Sequence, residues 1–462
     1  MNDSSQIEQK IKDLFKTDTF QLFSDLERTH PITINEIQDN STIFMNYEMG
    51  EIKTYQPEFT CTHSPDAVCP KCVNIEKVDK AYTPGRKVKY LSHLSYLQAL
   101  DDKSLKKETY DYVIKKCEEH PANQKCSKCM DKQITLVPQP YRYIDYVEFD
   151  SKIFLESFIS EAKLSGRQQI GLLIGKVVDC SDIPLGKKAV ISGIWQIEQE
   201  KFPDGVVLNE IPSKFYSKEL SIVGVIYTDL IYKNKELTSS KIINNYQIST
   251  LEIDLIASLG IKYNNKAFFG VCVSVNDDKS IEPTVYMVSE QYEALIKAGA
   301  LGITTDPKMF ISSRDIVYFV INEYDKKVSK RADPLLPVFY FVVTCEVGFN
   351  ENPLFTKNVT LKKPRASCLA GYFQNNYSFD NFKSFNVLCA LKFFMPTLLP
   401  EIFTAVINND ESLFNKISET PEFKEFKDSL AKFNTDKWNC VQCTYLNEAY
   451  KTNCEICGTL KT

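Results

Sequence analysis

The chain has little histidine and no signal for membrane insertion. Its 462 residues include four histidines, the last at position 120, so any later site must do without imidazole. No apolar run reaches the roughly eighteen residues of a membrane span, and the start of the chain, MNDSSQIEQKIKDLFK, lacks the apolar stretch of a secretory signal. These absences predict a cytoplasmic and nuclear protein without direct membrane insertion.

Two further absences narrow the function classes. The chain has no Gly-x4-Gly-Lys-Ser/Thr sequence to hold nucleotide phosphates, so it is not expected to hydrolyse ATP itself. Its net charge of −5 is the opposite of the basic surplus that a nucleic-acid backbone attracts, so we expect no nucleic-acid partner. The length itself predicts about three domains.

Cysteine, in contrast, is plentiful. Ten of the fifteen cysteines fall into three clusters, and in a reducing compartment clustered cysteine with histidine predicts metal binding rather than disulfides. The other five are scattered among apolar residues and are predicted to be small buried side chains: Cys180, Cys272, Cys345, Cys368 and Cys389.

The two N-terminal clusters share one spacing. Each has a Cys, a His two or three positions later, five more residues and then a Cys-x-x-Cys pair. Three thiolates and one imidazole fill a tetrahedral zinc shell and leave no position open for a catalytic water. Free cysteines in loops are the alternative. The predicted ligands of these two structural sites are Cys61, His63, Cys69 and Cys72, and Cys117, His120, Cys126 and Cys129.

The third cluster lies near the C-terminus and consists of two Cys-x-x-Cys pairs. A segment this short folds because metal binding supplies the free energy, which leaves the residues between the ligands free to form a recognition surface. A zinc-held loop without any ligand is the alternative. The predicted zinc ligands are Cys440, Cys443, Cys454 and Cys457, which brings the expected total to three structural zinc ions.

The pattern W-x-C-x2-C-x3-N-x6-C-x2-C resembles the NZF zinc finger, a ubiquitin-binding module. Its ubiquitin-binding members carry Thr-Phe after the second cysteine and a bulky apolar residue before the fourth. The resemblance therefore implies that Thr444, Tyr445 and Ile456 contact ubiquitin. RNA-binding relatives grip bases with Asn and Arg, but no Arg lies between Trp438 and Thr462, so a zinc-finger RNA-binding protein is the weaker alternative.

A wider resemblance rests on the segments 61–97 and 117–147, including Gln133-Ile-Thr-Leu136. They are similar to the zinc-motif region of the nuclear protein localization protein 4 family, and the likeness extends over roughly residues 32 to 462. It implies a cofactor that recognises ubiquitin and polyubiquitin for the hexameric AAA ATPase valosin-containing protein. Such a cofactor works with the ubiquitin fusion degradation protein in proteasomal and endoplasmic-reticulum-associated degradation, and reaches the endoplasmic-reticulum surface through partners.

The middle of the chain is predicted to be mixed α and β. A helix capped by Asp150 or Ser151 should end at Gly166, and a buried strand should follow at Ile170–Gly175. This order resembles the MPN fold. Further strands are predicted at 189–196, 221–227, 267–275 and 282–288, and a further helix at 249–257.

MPN enzymes hydrolyse isopeptide bonds with zinc held by His-x-His and Ser-x-x-Asp. Here Tyr227 and Asp229 stand at the histidine positions, and Glu252 stands where the Asp would be. Without imidazole these residues make a poor zinc site. We therefore predict an inactive scaffold with no catalytic residues. An MPN-type zinc isopeptidase is the alternative.

The expected architecture is an α+β multidomain chain with a zinc-knuckle platform, an MPN-like domain, an α/β C-terminal domain and an NZF finger. The C-terminal domain should contain a strand at 335–343 and helices at 388–394, 398–407 and 413–430. The family usually begins with a ubiquitin-like fold that docks on the ATPase, and the first 31 residues are too few to form one. The predicted boundaries are a partly helical or disordered extension at 1–31, the zinc-motif region at 32–143, the MPN-like domain at 144–305, the C-terminal domain at 306–433 and the finger at 434–462.

Overall fold

The computed structural model describes residues 20–23, 31–33, 44–47, 90–112, 133–233, 236–276, 278–304, 306–321, 324, 326–331, 334–350, 352–357, 359, 365–434, 438–439, 446–447, 453–454 and 459. The chain divides into two units, Met1–Cys72 and Val73–Thr462. The described residues of both units include strands and those of the second unit include helices, so the protein is of the mixed α+β class. Within the described parts, no helix combines the length and the apolar character needed to cross a membrane.

The described strands are numbered in chain order. They are β1 Phe20–Phe23, β2 Pro31–Ile32, β3 Phe44–Tyr47, β4 Leu91–Ser92, β5 Ile134–Thr135, β6 Tyr141–Arg142, β7 Tyr146–Phe149, β8 Ile170–Cys180, β9 Gly186–Gln196, β10 Gln199–Lys201, β11 Val206–Leu208, β12 Ser221–Asp229, β13 Ile231–Lys233, β14 Glu236–Thr238, β15 Phe269–Val275, β16 Ile281–Val288, β17 Leu301–Ile303, β18 Met309–Ser312, β19 Ile316–Ile321, β20 Lys327–Arg331, β21 Leu335–Pro337, β22 Val342–Phe349, β23 Trp438–Asn439 and β24 Leu446–Asn447.

The described α-helices are numbered in the same way. They are α1 His93–Asp101, α2 Lys152–Ser165, α3 Ser240–Asn244, α4 Thr250–Lys262, α5 Glu290–Lys297, α6 Ala366–Phe373, α7 Phe385–Leu391, α8 Leu399–Ile407, α9 Glu411–Ser418 and α10 Pro421–Asn434. Two short 3₁₀ turns cover Val338–Phe341 and Phe379–Phe382.

Seven strands form a closed sheet in the order β12-β15-β16-β22-β7-β9-β8. Three neighbouring pairs run parallel, namely β12 with β15, β22 with β7, and β7 with β9, and the other pairs run antiparallel. The last strand to join, β22, comes from the part of the chain assigned by sequence to the C-terminal domain. The 133–149 segment contributes β7, so residues that directly follow the second predicted zinc cluster are built into this sheet.

Helix α2 confirms the sequence prediction in detail. The Ser151 side chain accepts a hydrogen bond from the amide of Ile153, and the helix ends at Gly166, whose φ of 62° lies in the left-handed region that favours glycine. Its apolar face buries Phe154, Phe158 and Ala162. The predicted strands between 170 and 288 are present as β8, β9, β12, β15 and β16, each within a few residues of its expected bounds.

Two predictions in the C-terminal region differ from the structure. The expected strand at 335–343 is broken into β21, a 3₁₀ turn and the start of β22, because its residues belong to two different sheets. The expected helix at 413–430 is two helices, α9 and α10. Pro421 opens α10, a position where its missing N–H costs nothing, so an apolar pattern that continues through the break is divided by proline.

The N-terminal unit contains a small sheet. Within the extension at 1–31, which was predicted to be partly helical or disordered, β1 pairs with both β2 and β3 in an antiparallel sheet, with Leu22 opposite Ile32 and Met45. Phe20 and Leu22 alternate with Gln21, a two-residue period that favours a strand. In an apolar run this short, helical and strand periods are hard to tell apart.

Candidate functional site

A polar cluster lies where β12 and β15 end. The structure brings together the three residues that the sequence placed at the metal positions of an MPN enzyme, Tyr227, Asp229 and Glu252. Tyr227 and Asp229 are two residues apart and therefore on one face of β12, and Glu252 is in the first turn of α4. All three side chains are largely buried.

Asp229 is fully committed to hydrogen bonding. One carboxylate oxygen accepts from the amide of Ser240 at 2.9 Å and from its hydroxyl at 2.7 Å, and the other accepts from the amide of Lys241 at 3.2 Å. These donors belong to the first turn of α3, where an anionic side chain satisfies free N–H groups. Asp229 thus caps helix α3, and both of its carboxylate oxygens are already used in hydrogen bonds.

Glu252 has two partners. One carboxylate oxygen accepts from the amide of Ser249 at 2.6 Å, and the Ser249 hydroxyl accepts in return from the amide of Glu252 at 3.2 Å, which forms a capping box for α4. The other oxygen lies 3.3 Å from the ammonium nitrogen of Lys241. The Ser-x-x-Glu sequence therefore starts a helix and holds a lysine.

Lys241 is the residue of this cluster that the sequence interpretation missed. Its side chain is about nine-tenths buried, and Nζ lies 4.8 Å from the centre of the Tyr286 ring. Burial lowers the pKa of Lys241, whereas the negative charge of the Glu252 carboxylate raises it. A lysine in the stretch Ser-Lys-Ile-Ile has no sequence signal that distinguishes it from an exposed one.

The arrangement is unsuited to hydrolysis. Burial raises the pKa of Tyr227 well above its usual value and that of the Cys272 thiol to about 12, so both stay protonated at neutral pH. Among the residues that the structure describes, no three His, Cys, Asp or Glu side chains come together as a metal site. The cluster thus offers neither an activated nucleophile nor a shell for a catalytic metal.

A second cluster joins the segment 90–112, which separates the two predicted zinc clusters in sequence, to helix α5. The Tyr143 hydroxyl hydrogen-bonds the Glu290 carboxylate, and the ammonium of Lys266 lies 2.9 Å from the same group. The ring of His93 in α1 lies 4.4 Å from that of Tyr143. Gln291 donates to the Tyr112 hydroxyl at 2.7 Å, which fixes the other end of the segment.

The C-terminal finger is described in part. Strand β23 pairs with β24, with Trp438 opposite Asn447, and the connection between these strands carries Cys440 and Cys443. Cys454 is 3% exposed, and its amide donates to the carbonyl of Thr459 at 2.7 Å. Of the four predicted zinc ligands of the finger, Cys454 is the one that the structure describes.

Most of the predicted site residues lie outside the described part of the chain. This holds for both N-terminal clusters, whose ligands are Cys61, His63, Cys69, Cys72, Cys117, His120, Cys126 and Cys129, for Cys440, Cys443 and Cys457 of the finger, and for the ubiquitin-contact residues Thr444, Tyr445 and Ile456. Their roles stay predictions. The first cluster above lies wholly within the described residues 133–233, 236–276 and 278–304, and the second also includes His93 and Tyr112 of the described segment 90–112.

Comparison with known proteins connects these features. A model described as the NPL4 family matches residues 169–364, and one described as "NPL4 family, putative zinc binding region" matches residues 37–166, which include all eight N-terminal zinc-ligand candidates. All seven strands of the closed sheet lie within these two ranges.

Curated relatives carry the same family name. Nuclear protein localization protein 4 of Schizosaccharomyces pombe is 29% identical over 370 residues, which cover 70% of this chain and 64% of the relative. The proteins of that name from Scheffersomyces stipitis and Saccharomyces cerevisiae are 30% and 29% identical over 346 and 336 residues, and 60% and 58% of their lengths are covered. The chain spans about three fifths of the length of these relatives.

The closed sheet with its capped helices, preceded by a cysteine-rich region, defines a protein of the mixed α+β class. The chain belongs to the NPL4 family.

Proposed function

We propose that this chain is a non-enzymatic adaptor that binds ubiquitin chains on substrates and delivers them to the hexameric AAA ATPase valosin-containing protein. It would act with the ubiquitin fusion degradation protein, in the cytoplasm and nucleus and at the endoplasmic-reticulum surface, and feed proteasomal degradation. ATP hydrolysis on the partner would supply the force, and this chain would supply recognition. Membership of the NPL4 family is the observation that carries the proposal.

The chemistry of the closed sheet supports a binding role. We take this sheet as the MPN-like unit of the sequence prediction. The positions that would hold a catalytic metal contain Tyr227 and Asp229, and both oxygens of Asp229 are occupied by α3. Because Asp229 and Glu252 cap helices and Tyr227 is a buried phenol, these positions suit a binding scaffold better than a hydrolase.

The finger supports the ubiquitin half of the proposal. Strands β23 and β24 pair with each other, and each borders a residue of the predicted site. Asn439, the last residue of β23, precedes the predicted zinc ligand Cys440, and Leu446, the first residue of β24, follows the predicted contact residue Tyr445. A metal-held loop with an apolar side chain and no core of its own is suited to a weak protein contact. Several weak contacts on one chain gain affinity for ubiquitin chains through avidity.

The test is capture from cell lysate by the full tagged chain, followed by identification of the bound proteins. We expect the AAA ATPase and polyubiquitin to be recovered together. Substitution of Thr444 and Tyr445 by alanine should reduce the ubiquitin and leave the ATPase, whereas Cys72→Ser should reduce the ATPase. Recovery of neither partner by the wild-type chain would refute the proposal.

The rival function, a zinc isopeptidase, is tested separately. Incubation of the purified chain with ubiquitin chains and added zinc should release no free ubiquitin. Release that a chelator abolishes, and that persists in Asp229→Ala and Glu252→Ala variants, would reveal a catalytic site elsewhere in the chain.

A further inference from the structure

Lys241 has an environment that ordinary surface lysines lack. Its ammonium and the hydroxyl of Tyr227 are both buried, and neither makes a hydrogen bond of good geometry. The charge is balanced by one carboxylate oxygen of Glu252 at 3.3 Å and by the face of the Tyr286 ring at 4.8 Å. A buried cation needs such partners, because an ammonium left unpaired at this depth would strongly destabilise the fold.

The position of the ammonium is as informative as its burial. The residues around it come from five different elements: Tyr227 from β12, Lys241 from α3, Glu252 from α4, Cys272 from β15 and Tyr286 from β16. These elements lie between residues 221 and 288, and the five side chains meet at one point. A bound metal ion commonly ties elements together in this way, through a positive charge that several side chains face.

The backbone around Lys241 fixes this placement. Asp229 accepts the amide hydrogen bonds of Ser240 and Lys241, so the start of α3 is held against the end of β12. Ser239 caps the same helix, and its hydroxyl donates to the carbonyl of Val275 at the end of β15. The lysine side chain therefore enters the cluster from an anchored turn.

We propose that Lys241 is the permanent internal cation of this cluster, and that its ammonium takes the place that a metal ion holds in an MPN hydrolase. The closed sheet then needs no metal at this point and admits none. The inference deepens the non-enzymatic role proposed above, on which the comparison with a hydrolase rests. The cation would be covalently part of the chain, so the cluster would persist under conditions that strip zinc from the cysteine sites.

The test is a double-mutant cycle on the full chain, made in a Trp438→Phe background. The chain has two tryptophans, so Trp195 of β9 is then the only one left, and its fluorescence reports unfolding of the closed sheet. Lys241→Met removes the charge and keeps the length. Glu252→Gln removes the opposite charge and keeps an oxygen for the capping box.

If Lys241 is the internal cation, each single variant should lower the melting temperature by roughly 10 °C, because it leaves one buried charge unpaired. The double variant should recover most of that loss. A Lys241→Met variant as stable as the parent, or a double variant no better than the single ones, would overturn the proposal. If neither single variant folds, the double variant still decides, because the proposal requires it to be more stable than either single variant.

Two controls separate this reading from the alternatives. The Lys188–Glu148 pair on the same sheet is more exposed, with 28% and 18% of the side chains accessible at a separation of 3.0 Å. Lys188→Met should therefore change the melting temperature measured by Trp195 fluorescence little.

The second control is a chelator, which should leave the unfolding transition of the parent, followed by Trp195 fluorescence, unchanged. A chelator-induced drop would mean that the closed sheet holds a metal after all. Neither outcome bears on ubiquitin capture, so the two proposals fail independently.

Discussion

Gly193 of β9 lies directly against the aromatic ring of Phe385 in α7. A Cβ atom added at Gly193 would be 2.5 Å from two carbons of that ring, closer than real Cβ contacts occur. The Phe385 ring in turn stacks on Phe215 at 5.9 Å and meets Phe355 edge-on at 5.5 Å. This contact seats the C-terminal helices on the closed sheet, and it depends on the missing side chain.

Gly193→Ala is therefore expected to loosen the helices from the closed sheet. The ring cannot move without disturbing its aromatic neighbours, so we predict a loss of about 2–3 kcal/mol in the free energy of unfolding. Chemical denaturation followed by Trp195 fluorescence measures it. Gly205→Ala is the matched control, since nothing lies within 4 Å of the added atom and little change is expected. Equal stability of both variants would contradict the packing argument.

The Glu290 carboxylate should contribute stability that depends on pH. Burial would raise its pKa, but hydrogen bonds from Tyr143 and Lys266 outweigh burial and lower it. An acid whose pKa is lower in the folded chain stabilises the fold above its unfolded pKa of about 4.3, and the contribution disappears as pH falls through the folded value. Glu290→Gln should thus cost about 1 kcal/mol at pH 7 and progressively less toward pH 3.

Glu293 on the same helix provides the opposite case. Burial raises its pKa in the folded chain, so its charge opposes folding at neutral pH. Glu293→Gln should be at least as stable as the parent at pH 7. Melting temperatures of the parent and both variants across this pH range give the comparison, and the same sign for both would refute the electrostatic explanation.

The sequence predicted well what local periodicity determines. The span of α2, its cap at Ser151 and its end at Gly166 follow from side-chain spacing and turn chemistry, and these signals are local. The positions of β8, β9, β12, β15 and β16 follow for the same reason, whereas the three-residue strands β10, β11, β13 and β14 were not predicted. Helix α10 buries Phe423, Phe426 and Leu430, which follow helical spacing, while Phe433 in its last turn is 40% exposed.

What the sequence could not provide depends on contacts between distant residues. Lys241 is buried because Glu252 and Tyr286 surround it, and neither partner can be inferred from the residues next to it. The entry of β22 between β16 and β7 likewise depends on pairing across long stretches of chain. The absence of histidine in this region is visible in the sequence, but the burial of Lys241 beside Glu252 is not.

Metal content tests the cysteine clusters. The purified chain should carry three zinc ions, since its clustered cysteines and two histidines form three groups of four ligands. Native mass spectrometry gives the number directly. Cys72→Ser should lose one ion and unfold its own knuckle, whereas Cys368→Ser, which changes a free cysteine outside the clusters, should retain all three. One ion or none in the parent would refute the zinc platform.

The finger should bind ubiquitin weakly through Thr444, Tyr445 and Ile456. Tyr445 and Ile456 would supply a small apolar patch and Thr444 a polar contact beside it, so we expect a Kd of roughly 0.1 mM, or about −5 to −6 kcal/mol. Replacing Thr444 and Tyr445 by alanine should abolish binding without changing the zinc content, because neither residue is a predicted ligand. Tyr445→Phe should bind at least as well, since the ring is retained.

Titration of isotope-labelled ubiquitin with residues 434–462 loaded with zinc measures this binding. Tyr450→Ala is the matched control, a tyrosine of the same finger that is not among the predicted contacts, and it should leave the shifts unchanged. A wild-type finger that produces no shifts at millimolar concentration would be a zinc-held staple. Ubiquitin recognition would then have to come from the closed sheet and the C-terminal helices, whose separate weak contacts can add up through avidity. In that case capture of ubiquitin chains by the full chain would survive deletion of the finger.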